Sequence, residues 1–280
     1  MPLLRRLAHL PLAAALLAGP ALAQEFATPE TMSDGATAAQ PVTSTQSPGN
    51  ILTFALRGGV ATQPKFFGSD EYDVGPDIGF RFRHLRMRGL PEFGETDPWA
   101  ENYGWDFRGS FRYLGERDAS KDPDLESLHD IDPSYEIGFG LGYIGPGYEA
   151  FADIRRGFGG HEGYVGSVGI DYVARPDDRW RLTVGPRFIW ANDEFIDTYS
   201  GVGPDEATPD LPAYNPEGGL ISAGIELGAR YRINDVWGVE SALNWDNLQG
   251  DAADSPIVDT GDNDQWRFRI GVTRVFNLRF

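Results

Sequence analysis

The residues able to do chemistry fall into three groups. In the first, charged side chains recur at every second position of alternating segments: Arg81, Arg108, Arg181, Arg230, Arg267 and Arg269 among the cations, Asp77, Asp106, Asp153, Asp171, Glu226 and Glu240 among the anions. The planar fork of arginine meets carboxylates two bonds at a time, so such a set can pair and fill an enclosed space. Arranged as a ring, the same residues would set the selectivity of a pore. The second group is the acidic loop between Leu248 and Gln265, with Asp251, Asp254, Asp259, Asp262 and Asp264. Clustered oxygens could take Ca²⁺ or bridge lipopolysaccharide phosphates through divalent ions. The loop lacks the D-x-D-x-D-G spacing of a calcium loop, which favours a solvated acidic loop and no assigned metal or cofactor. The third group is His161 with Ser255 and the adjacent Asp254, a base and a nucleophile that would need to come within hydrogen-bond reach to hydrolyse anything. His161 sits in a Gly-rich turn, where a structural role is the simpler reading.

The elements that must position these groups are long strands. The last sixteen residues, Gln265 to Phe280, alternate Trp266, Phe268, Ile270, Val272, Phe276 and Leu278 on one face with Arg267, Arg269, Thr273 and Asn277 on the other. Period two identifies a strand, and its length is far beyond the five or six residues usual in soluble sheets. A membrane-spanning barrel strand, apolar outside and polar inside, accounts for length and alternation together. Arg274 alone breaks the apolar face, at little cost if it lies near a membrane interface.

Composition agrees. The chain has 280 residues, mean hydropathy −0.36, no Cys, 35 Gly and 12% aromatic residues. Outside the N-terminus no run of about 18 apolar residues occurs, which excludes a helical membrane protein but not a barrel, whose lipid-facing residues alternate with polar ones. A formal charge of −18 excludes nucleic acid as partner. Without Cys there is neither a disulfide framework nor a thiolate site.

Residues 1–23 have Arg5 and Arg6, an apolar stretch from Leu7 to Ala18 and then Ala21-Leu22-Ala23, the pattern of a secretory signal with a small-x-small cleavage site. Residues 24–50 are rich in Ala, Thr, Pro, Ser and Gln without periodicity, which predicts a disordered periplasmic leader. Residues 51–280 then form the barrel. Ten strands are clear, and 86–90 and 195–199 are two further candidates. An even number returns both termini to the periplasm, so ten and twelve are both allowed. The continuing alternation of Arg86, Met87 and Arg88 favours about twelve, with 115–133 a long periplasmic connection and His161 in a periplasmic turn.

The segment from Gly201 to Val258 resembles the MipA/OmpV family of outer-membrane proteins, named for a protein that interacts with a murein lytic transglycosylase. Its densest part is Leu248-Gln249-Gly250-Asp251-Ala252-Ala253-Asp254-Ser255-Pro256-Ile257-Val258, so that Asp251, Asp254, Ser255 and Pro256 form the family-motif loop. Tyr199 to Val202, Leu211 to Leu220, Phe158 to Gly163 and Pro64 to Ser69 with Tyr72 and Pro76 also match. A closing Phe280 is similar to the C-terminal signal of bacterial outer-membrane barrels. The segments 85–101 and 116–132 depart from the family pattern, and the resemblance carries no catalytic residues. It implies a non-enzymatic outer-membrane scaffold, in contact with lipid and lipopolysaccharide, that links a murein lytic transglycosylase to a peptidoglycan synthase. The charged interior supports an alternative, a small-solute diffusion channel; an outer-membrane hydrolase is the third reading. Mass spectrometry of the protein purified from outer membranes is expected to find Gln24 as the first residue. An uncleaved start in the inner membrane would contradict the signal.

Overall fold

The computed structural model describes residues 49–280 apart from 95, 96, 98, 101 and 102. The expected signal and nearly all of the leader lie outside the described residues. The strands are β1 (Ile51–Pro64), β2 (Tyr72–Arg86), the two-residue β3 (Phe93–Gly94), β4 (Gly104–Leu114), β5 (Ser134–Gly145), β6 (Tyr148–Gly159), β7 (Tyr164–Ala174), β8 (Trp180–Ala191), β9 (Gly219–Arg232), β10 (Trp237–Leu248) and β11 (Asp264–Arg279). Two short helices, α1 (Asp193–Ser200) and α2 (Pro256–Asp259), lie in the connections. All strands belong to one curled antiparallel sheet in the order β3-β2-β1-β11-β10-β9-β8-β7-β6-β5-β4. The first and last long strands are neighbours, Ile51 opposite Arg279. The ladder leaves a seam, with β2 and β3 at one edge and β4 at the other.

The long strands number ten, the smaller of the two expected counts. Neither further candidate is a strand. Residues 87–90 make a turn closed by Leu90 N–H to the Met87 carbonyl at 3.1 Å, and 195–199 lie in α1. Helix wins there because the Asn192 side chain accepts from Phe195 N–H at the N-terminus, and Asp193 and Glu194 occupy the positive first turn. Phe195, Ile196 and Tyr199 then share the face that packs inward.

Ten strands also settle which connections share an end. Tight turns at 146–147, 175–179 and 233–236 lie at the end that carries Ile51 and Arg279. The connections 65–71, 115–133, 160–163, 192–218 and 249–263 lie together at the other. The expected periplasmic placement of 115–133 and His161 is therefore corrected: both share an end with the family-motif loop.

Burial is inverted relative to a water-soluble sheet. Ile78 is 81% exposed and Phe107 85%, while Asp153, Arg155, Asp171 and Asp246 are buried on the concave face. Aromatic residues gather at the strand ends: at the turn end Tyr143 stacks on Tyr148 with Trp105 edge-on to it, and Trp180 packs on Tyr231, while Tyr113 packs on Tyr135 at the loop end. Two such girdles mark the two membrane interfaces. Arg274 lies in the turn-end girdle, its guanidinium 5.1 Å from the Trp237 ring centroid and 5.0 Å from that of Phe276. Stacked there it keeps its charge at the interface.

The register makes a direct test. Ile270 lies midway along β11 on the apolar face, whereas Arg230 faces inward, directly opposite the like-charged Arg181. Ile270→Arg is expected to cost about 2–4 kcal/mol at mid-bilayer and to deplete the heat-modifiable folded barrel. Arg230→Gln is expected to assemble like the unaltered protein, because it removes one partner of a like-charge pair.

Candidate functional site

The concave face is organised by shared carboxylates. Arg57 holds Asp77 at 2.7 Å and reaches Glu240 at 3.4 Å, and Arg81 reaches the same Glu240 at 3.3 Å. Arg108 meets Asp153 at 3.3 Å and lies over the Phe151 ring. Arg181 pairs with Glu149. Arg187 bridges Asp171 at 2.9 Å and Glu226 at 3.0 Å, and Arg267 holds Asp246 at 2.5 Å. Arg230 stands 5.9 Å from the Trp99 ring centroid. Of the interior charges read from the sequence, Asp106 and Arg269 make no ion pair or ring contact among the described residues, and Arg269 lines a chamber at the loop end. Strand glycines make room: a Cβ on Gly140 would fall 1.8 Å from an Asp153 carboxylate oxygen.

Glu136 is the most deeply placed of these groups, with no exposed side-chain surface. It takes Arg155 Nε at 2.8 Å, with Arg112 at 3.9 Å and the His161 ring at 3.6 Å. His161 occupies space that a Cβ on Gly157 would fill, and its ring lies edge-on to Phe195 and Tyr199. Burial pushes the Tyr199 phenol above its ordinary range.

Above the strands the loops form a cap with apolar centres of its own. One gathers Ala119, Leu125, Leu128, Val202, Leu211 and Ile257. The other gathers Val165, Ala191, Phe195, Ile196, Ile221 and Ala252. The family-motif loop ties them together. The Asp251 carboxylate accepts from Glu217 N–H at 2.8 Å, and its carbonyl accepts from the Tyr214 hydroxyl at 2.9 Å. The buried Ser255 hydroxyl donates to the Ser200 carbonyl at 2.6 Å and accepts from Ile257 N–H at the start of α2, where Pro256 takes the first position. Asp254 is exposed. Ser255 is thus occupied as a cap, and His161 stands against Glu136, so the proposed base and nucleophile serve separate packing roles. The acidic loop spends its oxygens similarly: Asp262 Oδ1 accepts from Asp264 N–H, and Asp264 Oδ1 from Asn247 and Trp245. Among the described residues no three potential ligands gather as a metal site.

Sequence reasoning missed Glu136 as a shared carboxylate and missed Trp99. The Trp99 indole N–H donates to the Asp235 carbonyl at 2.9 Å, which fixes Trp99 against the 233–236 turn. Its only sequence signal was a Trp outside the alternating strands.

A curled antiparallel sheet with an apolar exposed face, paired charges within and aromatic girdles at both ends defines an outer-membrane β-barrel protein. The family model described as MltA-interacting protein MipA matches residues 56–276, and the chain belongs to that family. No curated protein matches the chain. Among solved structures it is similar to the translocator domain of the autotransporter NalP from Neisseria meningitidis, at 10% identity and TM-score 0.41, covering 83% of this chain and 90% of that one. The NanC porin gives 7% identity and TM-score 0.35 over 80% and 98% of the two chains. The N-terminal β-barrel domain of Pseudomonas aeruginosa OprF gives 12% and 0.29 over 82% and 100%.

Glu136→Ala would leave Arg155 buried without its carboxylate. Losing one partner of a buried pair costs about 3–5 kcal/mol. The folded barrel is therefore expected to lose its heat-modifiable form at a lower temperature, read by gel mobility, while Asp254→Ala at the exposed loop position leaves that temperature unchanged.

Proposed function

We propose that this outer-membrane barrel is a non-enzymatic scaffold that anchors a murein lytic transglycosylase, and with it a peptidoglycan synthase, to the membrane. The supporting observation is that the interior is crossed by ion pairs and the loop end is closed by two buried clusters, which leaves the turn end as the surface to offer a periplasmic partner. Bacterial barrels carry short turns on the periplasmic side and long loops outside. On that rule the family-motif loop, 115–133 and His161 all face outward, towards lipopolysaccharide. The periplasmic surface consists of the tight turns, the folded connection around Trp99 and the expected leader. Family membership supports the partner, because the family is described by its interaction with MltA.

Pull-down from envelope extracts tests this reading. Asp251→Asn combined with Asp254→Asn is expected to retain the transglycosylase, whereas Trp99→Ala, which frees the 87–103 connection, is expected to lose most of it. Retention by Trp99→Ala with loss by the loop variant would overturn the orientation. In planar bilayers the protein is expected to pass no porin-scale current; a steady ohmic conductance would favour the small-solute channel instead.

A further inference from the structure

Beneath the loop cap the concave face leaves a chamber of about 490 Å³, a volume within the range of small-molecule sites. Its lining carries five cations and five carboxylates, but they are unevenly paired. Of the carboxylates, Asp77, Glu226 and Asp246 are held by Arg57 at 2.7 Å, Arg187 at 3.0 Å and Arg267 at 2.5 Å, Glu116 meets Lys121 at 3.4 Å, and Asp73 is exposed. Two arginines of the same lining are not so held. Arg112 lies 3.9 Å from Glu136 Oε1, beyond hydrogen-bond distance, while Arg155 holds the other oxygen of that carboxylate. Arg269 has no carboxylate within hydrogen-bond distance among the described residues, although its strand places it beside the chamber.

Two further polar groups on this lining lack partners. Ser222 is 3% exposed and its hydroxyl has none. Asp246 is equally buried, and its second carboxylate oxygen accepts nothing. Buried polar atoms are ordinarily bonded, so vacant ones converging on a cavity with two uncommitted guanidinia indicate a ligand. Opposite the charges, Phe67, Leu114, Phe195 and Ile221 present apolar surface. The chamber reaches both sides of the seam at the loop end, through Asp73 of β2 and Tyr113 of β4.

We propose that this chamber binds a small amphipathic anion, a carboxylate or phosphate head on an apolar body. The head lies between Arg112 and Arg269, whose forks donate paired hydrogen bonds to such oxygens, and accepts a further one from Ser222. The body packs on Phe67, Phe195 and Ile221. A hydroxyl on it would supply the donor that Asp246 lacks. This site and the partner surface at the turn end occupy opposite ends of the barrel, so either assignment can fail alone.

The test uses the full mature barrel, folded in detergent, and ligand-observed NMR titration with hexanoate, hexyl phosphate, hexanol and inorganic phosphate. One or both amphipathic anions are expected to bind saturably, and the pair distinguishes a carboxylate from a phosphate source. Hexanol, lacking the head, and inorganic phosphate, lacking the body, are expected to bind at least about tenfold more weakly, as loss of a charge-assisted bond predicts. Arg269→Gln and Arg112→Gln, each verified as folded by heat-modifiability, are expected to weaken the anion by about tenfold. The proposal is overturned by no saturable binding of either anion, by hexanol or inorganic phosphate binding as tightly, or by unchanged affinity in both variants. Should a variant fail to fold, the four-probe comparison on the unaltered barrel decides alone.

Discussion

Lipid cannot solvate a charge or an unpaired backbone group, and nearly every feature of this molecule follows from that constraint. Strands run long because they must cross about 30 Å of hydrocarbon, and their side chains alternate because one face meets lipid and the other meets charge. Twenty-two of the 24 basic residues are arginines, a choice suited to an interior where each carboxylate must be shared. Glu240 serves Arg57 and Arg81 together, and Arg187 serves Asp171 and Glu226. Arg274 obeys the same rule from outside, lying across Trp237 and Phe276 at the interface instead of entering the lipid.

The cap follows different physics. Beyond the girdles the loops are in water, and they fold as a small soluble body does, around Leu125, Ile257, Phe195 and Ile221. Polar atoms in it are committed to backbone: Glu206 accepts from both His129 and Gly203, Asp193 from Gly218, and Asp251 from Glu217. Burial pulls the Arg117 guanidinium below its ordinary pKa, with Glu206 opposing the shift. A motif whose residues make these bonds marks the family by preserving a fold of loops, without needing a reaction to explain it.

The wall was legible in the sequence because period two is local: Trp266 to Leu278 declares its faces without reference to any other strand. Strand number was less so. Arg86, Met87 and Arg88 alternate on paper, yet a strand also needs a pairing partner that no local pattern reveals, and the chain turns there instead. Phe195 to Tyr199 was misread for a different reason, since the Asn192 cap and the acidic first turn signal helix more strongly than Phe195, Ile196 and Tyr199 signal strand. The loss of both extra strands, 86–90 before these segments and 195–199 after them, puts His161 and 115–133 at the same end as the family-motif loop. The sharing of Glu136 was out of reach, because its neighbours Arg112, Arg155 and His161 come from β4, β6 and the turn after β6, and only the curl of the sheet brings them together.

The curl also concentrates the interior's balance on two carboxylates. At the turn end Arg81, Arg83, Arg181 and Arg230 are within electrostatic reach of one another, and Arg181 stands directly opposite Arg230 in the ladder. Like charges so placed repel, and the arrangement persists because Glu240 is the residue facing Arg230 from the other side while also holding Arg57 and Arg81. At the loop end Glu136 does the equivalent for Arg155, with Arg112 beside it. Between these two anchors, Arg187 holds Glu226 and Arg267 holds Asp246. The positive charge left over is therefore not spread along the interior. The guanidinia without a close carboxylate stand towards the two ends, Arg112 and Arg269 on one side and Arg83 and Arg230 on the other, and the ion pairs concentrate along the middle.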